Sequence, residues 1–169
     1  MSQTDRYGLA WTQDDLVQLA ADTEKIHGIP SGGLQALLQR ESNWDVNASS
    51  PAGAQGIAQF MPATAAEWEV DPWDPIDAIT GSARYLKWLR SELPTWQATL
   101  AAYNWGIGRV RKVLGEDGYV PLTALPLETK NYVLALAPAF GDQTEGETAR
   151  SALLPVLIAG VAFMLWRAA

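Results

Sequence analysis

The chain has 169 residues, of which 48% are hydrophobic, and its formal net charge at pH 7 is −7. This length allows one domain with a hydrophobic core and a short additional segment. The low isoelectric point, about 4.6, argues against nucleic-acid binding, which requires a basic surface. The absence of cysteine excludes disulfides, thiolate metal sites and cysteine nucleophiles. Because His27 is the only histidine, any chemistry must rest mainly on carboxylates, hydroxyls and amides.

The N-terminal third predicts two helices. The first 15 residues contain no apolar run of the kind found in signal peptides, so we expect no secretory leader. A helix is predicted over 12–27, with Thr12 as N-cap, Asp15 in the reciprocal capping position and Gly28 at its end. Its predicted apolar stripe consists of Leu16, Leu19 and Ile26. His27, at the end of this helix, is interpreted as a surface residue that interacts favourably with the helix dipole.

A second helix is predicted from Ser31, as N-cap, to Ser42. Glu41 shares one face of this helix with three leucines, at positions 34, 37 and 38. On this evidence Glu41 could be a surface acid that ends a helix, or a carboxyl group that keeps its proton in apolar surroundings. Both the helix dipole and burial against the leucines disfavour the charged form and would raise its pKa, as a general acid requires.

The rest of the first 140 residues predicts further helices, separated by loops rich in Gly and Pro. Pro62 and Pro75 suit first-turn positions, and Asp74 is a suitable N-cap. The predicted helices cover 62–68, 75–93, 96–103, 109–114 and 127–136. The apolar stripe of the second of these is Ile76, Ile79, Ala83, Leu86 and Leu89. No useful strand pattern and no internal repeat are present, so the predicted class is all-α with six to eight helices.

The C-terminal part has a different composition. Residues 141–151 are polar and typical of a linker, whereas residues 152–166 contain no charge and are flanked by Arg150 and Arg167. As a helix this run would span about 22 Å, against roughly 30 Å of membrane hydrocarbon, so flanking residues must extend it. A buried core helix is the alternative. The predicted organisation is a domain over 1–140, a linker over 141–151 and a hydrophobic membrane anchor over 152–169.

Three stretches in the predicted domain, residues 53–62, 101–108 and 127–133, carry side chains typical of a ligand-binding groove. Gly53 and Gly56 permit tight turns and a close approach of backbone to a ligand. The eight tryptophans could fill the core or stack on sugar rings. The candidate polar and soft apolar contacts are Gln59, Met61, Tyr103, Asn104, Glu128 and Tyr132.

Four blocks of sequence, in order, resemble the lytic transglycosylase (SLT) domain. They are E-S at 41–42, S-x-x-G-A-x-G-I-x-Q-F-M-P-x-T-A at 50–65, A-Y-N-x-G-x-G at 102–108 and E-T-x-x-Y-V at 128–133. The resemblance covers roughly residues 15–138. It implies a goose-lysozyme-like α-helical fold and cleavage of the β-1,4 bond between N-acetylmuramic acid and N-acetylglucosamine in peptidoglycan. Glycan strands are therefore the implied partner, and no metal, nucleotide or redox cofactor is implied.

The resemblance also implies roles for individual residues. Glu41 matches the single catalytic acid/base of the family, and Glu128 matches a position that is more structural than catalytic. The other implied substrate-binding positions are Ser50, Gln59, Met61, Tyr103, Asn104 and Tyr132. Two residues depart from the family pattern: Trp105 replaces a small residue, where it could narrow the groove or add a stacking face, and Ala58 replaces a common Met.

The implied mechanism uses one carboxyl group twice. Glu41 protonates the glycosidic oxygen and then, as a carboxylate, takes the proton of the sugar's 6-hydroxyl, which yields a 1,6-anhydromuramyl end. Hydrolysis by a muramidase on the same fold stays open, because Asp45, Asp71 or Asp74 could supply a second carboxylate. A non-catalytic wall-binding membrane protein is the third reading.

The expected setting follows from the two ends of the chain. A lytic domain without a leader but with a C-terminal apolar segment favours a virion protein held in an internal phage membrane. A tail-anchored protein of the bacterial envelope is the alternative. The oligomeric state cannot be inferred from the sequence.

Overall fold

A computed structural model describes residues 2–142 of the chain. In this range the chain forms α1 (Gln13–His27), α2 (Gly33–Ser42), α3 (Pro62–Glu67), α4 (Pro75–Glu92), α5 (Trp96–Trp105), α6 (Ile107–Val110) and α7 (Leu127–Leu136). Two 3₁₀ turns, Leu122–Ala124 and Ala137–Phe140, lie on either side of α7. The mostly helical class is confirmed, and α1, α4 and α7 have nearly the predicted bounds. The helix predicted over 109–114 was misplaced, because Gly106 restarts the chain as a helix at Ile107.

The predicted hydrophobic segment 152–169, and most of the linker, lie outside the described residues. Among residues 2–142, no helix combines the length and apolar character needed to cross a membrane. The predicted division of the chain into domain, linker and anchor therefore stays a prediction.

The predicted all-α class is incomplete, because the structure adds one short β-hairpin at the N-terminus. Strand β1 (Ser2–Thr4) pairs in antiparallel register with β2 (Ala10–Thr12), so that Gln3 lies opposite Trp11. Each strand has three residues, which is too short to show the alternation that identifies a strand in a sequence. Side-chain contacts stabilise the hairpin instead, since the Asp5 carboxylate accepts hydrogen bonds from the Tyr7 and Leu9 amides and the Trp11 indole.

The hairpin also holds the two loops that surround α3. The Gln3 amide donates to the Trp44 carbonyl (2.6 Å) and accepts from the Val46 amide (3.0 Å). The Arg6 guanidinium lies 3.2 Å from the ring centroid of Trp73, a cation–π contact with the loop between α3 and α4. Residues distant in sequence therefore fix the loops on both sides of α3.

Helix α2 begins in a different way from the predicted Ser31 cap. The N-cap is Gly32, which has no side chain to accept the free amides of the first turn. The carboxylate of Glu24, a buried residue of α1, accepts hydrogen bonds from the Gly32 amide (2.9 Å) and from the backbone and side-chain amides of Gln35 (3.1 and 3.2 Å). An anion at a helix N-terminus also interacts favourably with the helix dipole. Ser31 was a plausible cap by sequence, but the tertiary contact replaces it.

The hydrophobic core is built around α5, on which α4, α6 and α7 pack. The capping box of Thr12 and Asp15 and the Asp74 cap of α4 are present as predicted. Two predicted stripe residues are exposed: Ile26 keeps 77% and Ile76 48% of its surface accessible. The buried face of α1 contains Glu24, and Ile26 follows it by about 200° around the helix. Ile76 lies in the first turn of α4, at the edge of the packed region.

We expect Glu24→Ala to lower the free energy of unfolding by about 3 kcal/mol, because it removes charged hydrogen bonds and leaves partly buried amides at the start of α2 without a partner. Urea denaturation followed by circular dichroism measures this change. Glu116→Ala, at an exposed loop position, is the matched control and should alter stability little. Equal stability of the two variants would contradict a capping role for Glu24.

Candidate active site

The structure brings all eight predicted site residues to one cavity of about 360 Å³. They come from the end of α2, the loop between α2 and α3, the end of α5 and the start of α7. The lining residues are Glu41, Ser50, Gln59, Met61, Tyr103, Asn104, Glu128 and Tyr132, together with Arg40, Ala52 and Ala54. No single stretch of sequence contains this set, so the cavity exists only because α2, α5 and α7 pack together. The roles assigned to the individual residues stay predictions.

Glu41 is the last but one residue of α2 and is partly buried. Burial raises its pKa from 4.5 to about 7, while the Tyr132 hydroxyl and the Arg40 guanidinium lower it and the nearby Glu128 charge raises it. The Tyr132 hydroxyl donates to Oε1 of Glu41 at 2.6 Å. Among the described residues no donor reaches Oε2, so a proton on Glu41 is carried by the oxygen that is free to act on a ligand. This direction of the pKa shift agrees with the sequence prediction.

The loop that carries Gln59 is held in an uncommon backbone conformation. Gln59 has a φ of 52°, in the left-handed backbone region that residues other than Asn, Asp and Gly rarely adopt. Its side-chain nitrogen donates to the Gly56 carbonyl at 2.9 Å and lies 3.4 Å from the Ala48 carbonyl. The amide nitrogen therefore holds the loop, and the amide oxygen is the atom left to accept a hydrogen bond from a ligand.

Gly56 is required for a different reason from the predicted one. A Cβ atom at Gly56 would lie 1.6 Å from the carbonyl oxygen of Pro72, so no other residue fits there. The close approach predicted from the sequence is therefore made to the loop before α4 rather than to a ligand. Gly53 has a φ of 91° and open space around it, which agrees with its predicted turn role.

Tyr103 and Asn104 are presented by the last turn of α5. The Tyr103 hydroxyl donates to the Ala58 carbonyl at 3.0 Å, which ties α5 to the Gln59 loop. The Thr129 hydroxyl donates to Oδ1 of Asn104 at 2.7 Å, so the Asn104 amide nitrogen is oriented to donate to a ligand. Burial raises the pKa of Tyr103 well above its usual value, so its hydroxyl remains a donor.

The three aspartates that the sequence offers as a second carboxylate do not line the cavity. Asp45 and Asp71 accept backbone hydrogen bonds within their loops, and Asp74 caps α4. Glu128 instead supplies the second carboxyl group of the cavity. The sequence already placed Glu128 among the candidate groove contacts, but its position in the same cavity as Glu41 depends on how α2 and α7 pack.

Arg40 and Ser50 also line the cavity. Arg40, which the sequence reasoning missed, lines the cavity beside Glu41, and its position next to the acid was the only available signal. The Ser50 hydroxyl accepts from the Ala54 amide at 3.0 Å, so it stabilises a turn in the cavity wall. Within residues 2–142, no group of three or more His, Asp or Glu side chains is placed to hold a metal ion.

A second cavity of about 210 Å³ continues from the first. The two share Gln59, Met61, Tyr103 and Asn104, and we refer to them together as the groove. The second part adds three aromatic side chains and one cationic side chain to the lining: Phe60, Tyr85, Trp105 and Arg109. Trp105, the departure from the family pattern, therefore belongs to the groove wall and is available for stacking.

We expect Tyr132→Phe to raise the pKa of Glu41 further above about 7, because the Tyr132 hydrogen bond stabilises the charged carboxylate. Titration of the Glu41 carboxyl carbon by NMR measures this. Tyr119→Phe is the matched control, since no hydrogen bond of the Tyr119 hydroxyl is found among the described residues. An unchanged or lowered pKa of Glu41 in Tyr132→Phe would show that the hydrogen bond does not control the proton.

Comparison with known proteins agrees with this geometry. The family model of the transglycosylase SLT domain matches residues 18–121. The membrane-bound lytic murein transglycosylase F of Pasteurella multocida is 36% identical over 99 residues, which are 50% of this chain and 20% of that protein. The corresponding protein F 1 of Alkalilimnicola ehrlichii is 37% identical over 107 residues, or 56% of this chain and 22% of that protein. The chain thus spans about a fifth of the length of these curated relatives.

Solved structures give the same result. The 70-kDa soluble lytic transglycosylase of Escherichia coli is 28% identical, with a TM-score of 0.58 over 76% of this chain and 23% of that chain. An inactive mutant of lytic transglycosylase Slt from Pseudomonas aeruginosa is 25% identical, with a TM-score of 0.61 over 72% of this chain and 22% of that chain. Since the matching model covers more than half of the sequence, this chain belongs to the SLT transglycosylase domain family.

Proposed function

We propose that this chain is a peptidoglycan lytic transglycosylase that cleaves the bond between N-acetylmuramic acid and N-acetylglucosamine and leaves a 1,6-anhydromuramyl end. The observation that carries the proposal is Glu41, a carboxyl group with a pKa of about 7 in a cavity lined by sugar-binding chemistry. Hydroxyl, amide and thioether groups surround it, as a glycan strand requires. The names of the related proteins describe the same activity.

In this mechanism Glu41 acts first as an acid and then as a base. Near neutral pH a pKa of about 7 leaves a large fraction of Glu41 protonated, and its free Oε2 donates the proton to the glycosidic oxygen. The carboxylate that results is stabilised by the Tyr132 hydroxyl. The bond between the anomeric carbon and the glycosidic oxygen breaks, and the N-acetylglucosamine unit leaves with the donated proton on its 4-hydroxyl. The Glu41 carboxylate then takes the proton of the muramic 6-hydroxyl while that oxygen bonds to the anomeric carbon, so the acid is restored and no water is consumed.

Hydrolysis is the second candidate, and one observation favours it. Glu128 lines the same cavity, and its charge raises the pKa of Glu41. A second carboxylate is the group that hydrolytic glycosidases use to activate water or stabilise the cationic centre. Transglycosylation remains our preferred reaction, because Glu128 matches a position of the family motif whose role is structural.

Digestion of purified peptidoglycan tests both candidates. We expect the wild-type chain to release muropeptides with anhydro ends, which mass spectrometry distinguishes from reducing ends by the mass of one water. Glu41→Gln keeps the shape of the side chain but removes the proton donor, so it should lower the rate by at least about 100-fold. Reducing ends from the wild type would establish the hydrolase. Absence of any product from the wild type, with wall binding intact, would favour a non-catalytic wall protein.

The stability of Glu41→Gln shows whether this variant is folded. The raised pKa of Glu41 means that its charged form costs stability, so the wild type loses stability as pH rises from about 4.5 to about 7. Glu41→Gln avoids this cost. It should therefore be more stable than the wild type by up to about 3 kcal/mol near pH 8, and by much less near pH 5.

We further propose that residues 152–166 anchor the chain in a lipid bilayer, in the internal membrane of a phage virion or, as the alternative, in a bacterial envelope. The uncharged run over residues 152–166, flanked by Arg150 and Arg167, supports the anchor. The related proteins are named as membrane-bound. An anchor would hold an acidic enzyme close to an anionic polymer that does not attract it by charge.

Flotation of the full chain with phospholipid vesicles tests the anchor. The wild type should float, whereas Ile158→Arg should not, since an arginine at the centre of a span costs about 3 kcal/mol. Ser151→Arg, at the edge of the segment, is the matched control and should still float. Recovery of the protein from purified, membrane-containing particles would support the virion setting, and recovery only from envelopes of uninfected cells would overturn it.

A further inference from the structure

A separate surface pocket lies at the end of α3, against the middle of α4. It has a volume of about 340 Å³ and is lined by Glu67, Trp68, Glu69 and Trp88. Glu67 and Glu69 are exposed, and both indoles are half-buried. None of these residues lines the groove, and the proposed reaction uses none of them.

The aromatic side chains of this pocket are held in fixed positions. The Trp68 and Trp88 rings lie 5.5 Å apart between centroids, and Trp88 stacks on Tyr85 at 5.8 Å with an angle of 16°. Trp68 contacts the same Tyr85 edge-on at 5.2 Å. Because the rings of Trp68, Trp88 and Tyr85 pack against one another, their side chains lose little conformational entropy when a ligand binds. They therefore offer a rigid surface for stacking.

The pocket is connected to the groove through Tyr85. This residue lines the second part of the groove, and its ring lies 5.5 Å from that of Tyr103, which also lines the cavity around Glu41. Burial raises the pKa of Tyr85, and the charge of Glu67 raises it further. A chain of aromatic rings therefore leads from the catalytic cavity to the surface pocket, with Tyr85 between the two.

The composition of the pocket selects one kind of ligand. Indole rings stack on the apolar C–H faces of pyranose sugars, and carboxylates accept hydrogen bonds from hydroxyl and amide groups. The pocket has two carboxylates and no cation in its lining, so it disfavours the lactyl and peptide carboxylates of muramic acid. The uncharged N-acetylglucosamine unit of the same polymer meets every requirement. A small ammonium ligand would use the same indoles and carboxylates, so it is the competing ligand that the test below compares with the sugar.

We propose that Glu67, Trp68, Glu69 and Trp88 form a second glycan-binding site, which takes an uncharged N-acetylglucosamine unit outside the catalytic groove. The identity of the polymer rests on the proposed function, but binding at this site requires no cleavage. A strand held at both places would remain attached after each cut, because two linked contacts raise the effective concentration of the next bond.

The test uses the full chain carrying Glu41→Gln, which cannot consume the probe. Chitotriose, a neutral trimer of N-acetylglucosamine, is titrated while NMR follows the indole N–H signals of Trp68, Trp88 and Trp105. We expect the signals of Trp68 and Trp88 to shift together, with a dissociation constant different from that of any shift at Trp105. If the Trp68 and Trp88 indole signals do not shift at saturating chitotriose, the proposal is overturned, even if the Trp105 signal shifts.

Two variants separate stacking from charge. Trp88→Ala in the same background should weaken binding at the surface pocket by roughly tenfold, the loss of one stacking contact. Because this change could also disturb Tyr85, a second variant reverses the exposed charges, Glu67→Lys with Glu69→Lys. It should weaken chitotriose binding and leave the Trp105 response unchanged. Equal binding in the charge-reversed protein, or tighter binding of an alkylammonium ion than of chitotriose to the unreversed pocket, would refute the sugar assignment.

The outcomes also distinguish this proposal from the proposed function. Loss of anhydro products with intact shifts at Trp68 and Trp88 would overturn the reaction and leave the second site standing. Anhydro products with no shift at Trp68 and Trp88 would overturn the second site and leave the proposed reaction standing. Glu67→Lys with Glu69→Lys in an otherwise wild-type chain should still cut short soluble fragments, but it should release fewer products from each strand of insoluble peptidoglycan.

Discussion

The hydrogen bond from Tyr132 to Glu41 is the contact on which the arrangement of the site depends. It joins the end of α2 to α7 across 91 residues of sequence, and it lies where the two helices enclose the cavity. Burial raises the pKa of Glu41 to about 7, and the hydroxyl limits that rise by stabilising the carboxylate. In the proposed reaction Glu41 acts first as an acid and then as a base, which needs both effects. Burial alone would hold the proton too firmly, whereas full exposure would release it well below neutral pH.

The surroundings of this contact are fixed from outside the cavity. Glu24 of α1 holds the first turn of α2, and so sets the position of the helix that ends near Glu41. The opposite wall depends on Gly56, whose lack of a side chain lets the loop approach Pro72, and on the left-handed backbone of Gln59. Such conformations are costly and persist only where surrounding contacts enforce them. The amide of Gln59 therefore holds the loop through its nitrogen and offers its oxygen to the cavity.

Aromatic residues divide between the core, the groove and the surface. Tyr103 and Trp105 belong to the groove, Tyr85 lies between groove and surface, and Trp68 and Trp88 lie at the surface pocket. If the substrate is the proposed glycan strand, these residues offer it several stacking faces in and near the groove. An acidic protein would gain nothing from long-range attraction to such an anionic polymer. Short-range stacking and hydrogen bonding would then be the forces that hold it.

The sequence by itself determined the helices with strong local signals, such as the capping box of Thr12 and the Asp74 cap before Pro75, because these depend on neighbouring residues. It also predicted the eight candidate site residues, since they fall in four ordered motifs. Only the tertiary structure decided the N-terminal hairpin, the cap of α2 and the meeting of Glu128 and Glu41 in one cavity. Each of these is a contact between segments far apart in the chain. Local periodicity carries no information about such contacts, because their distances are fixed by the packing of whole helices rather than by the spacing of residues along them.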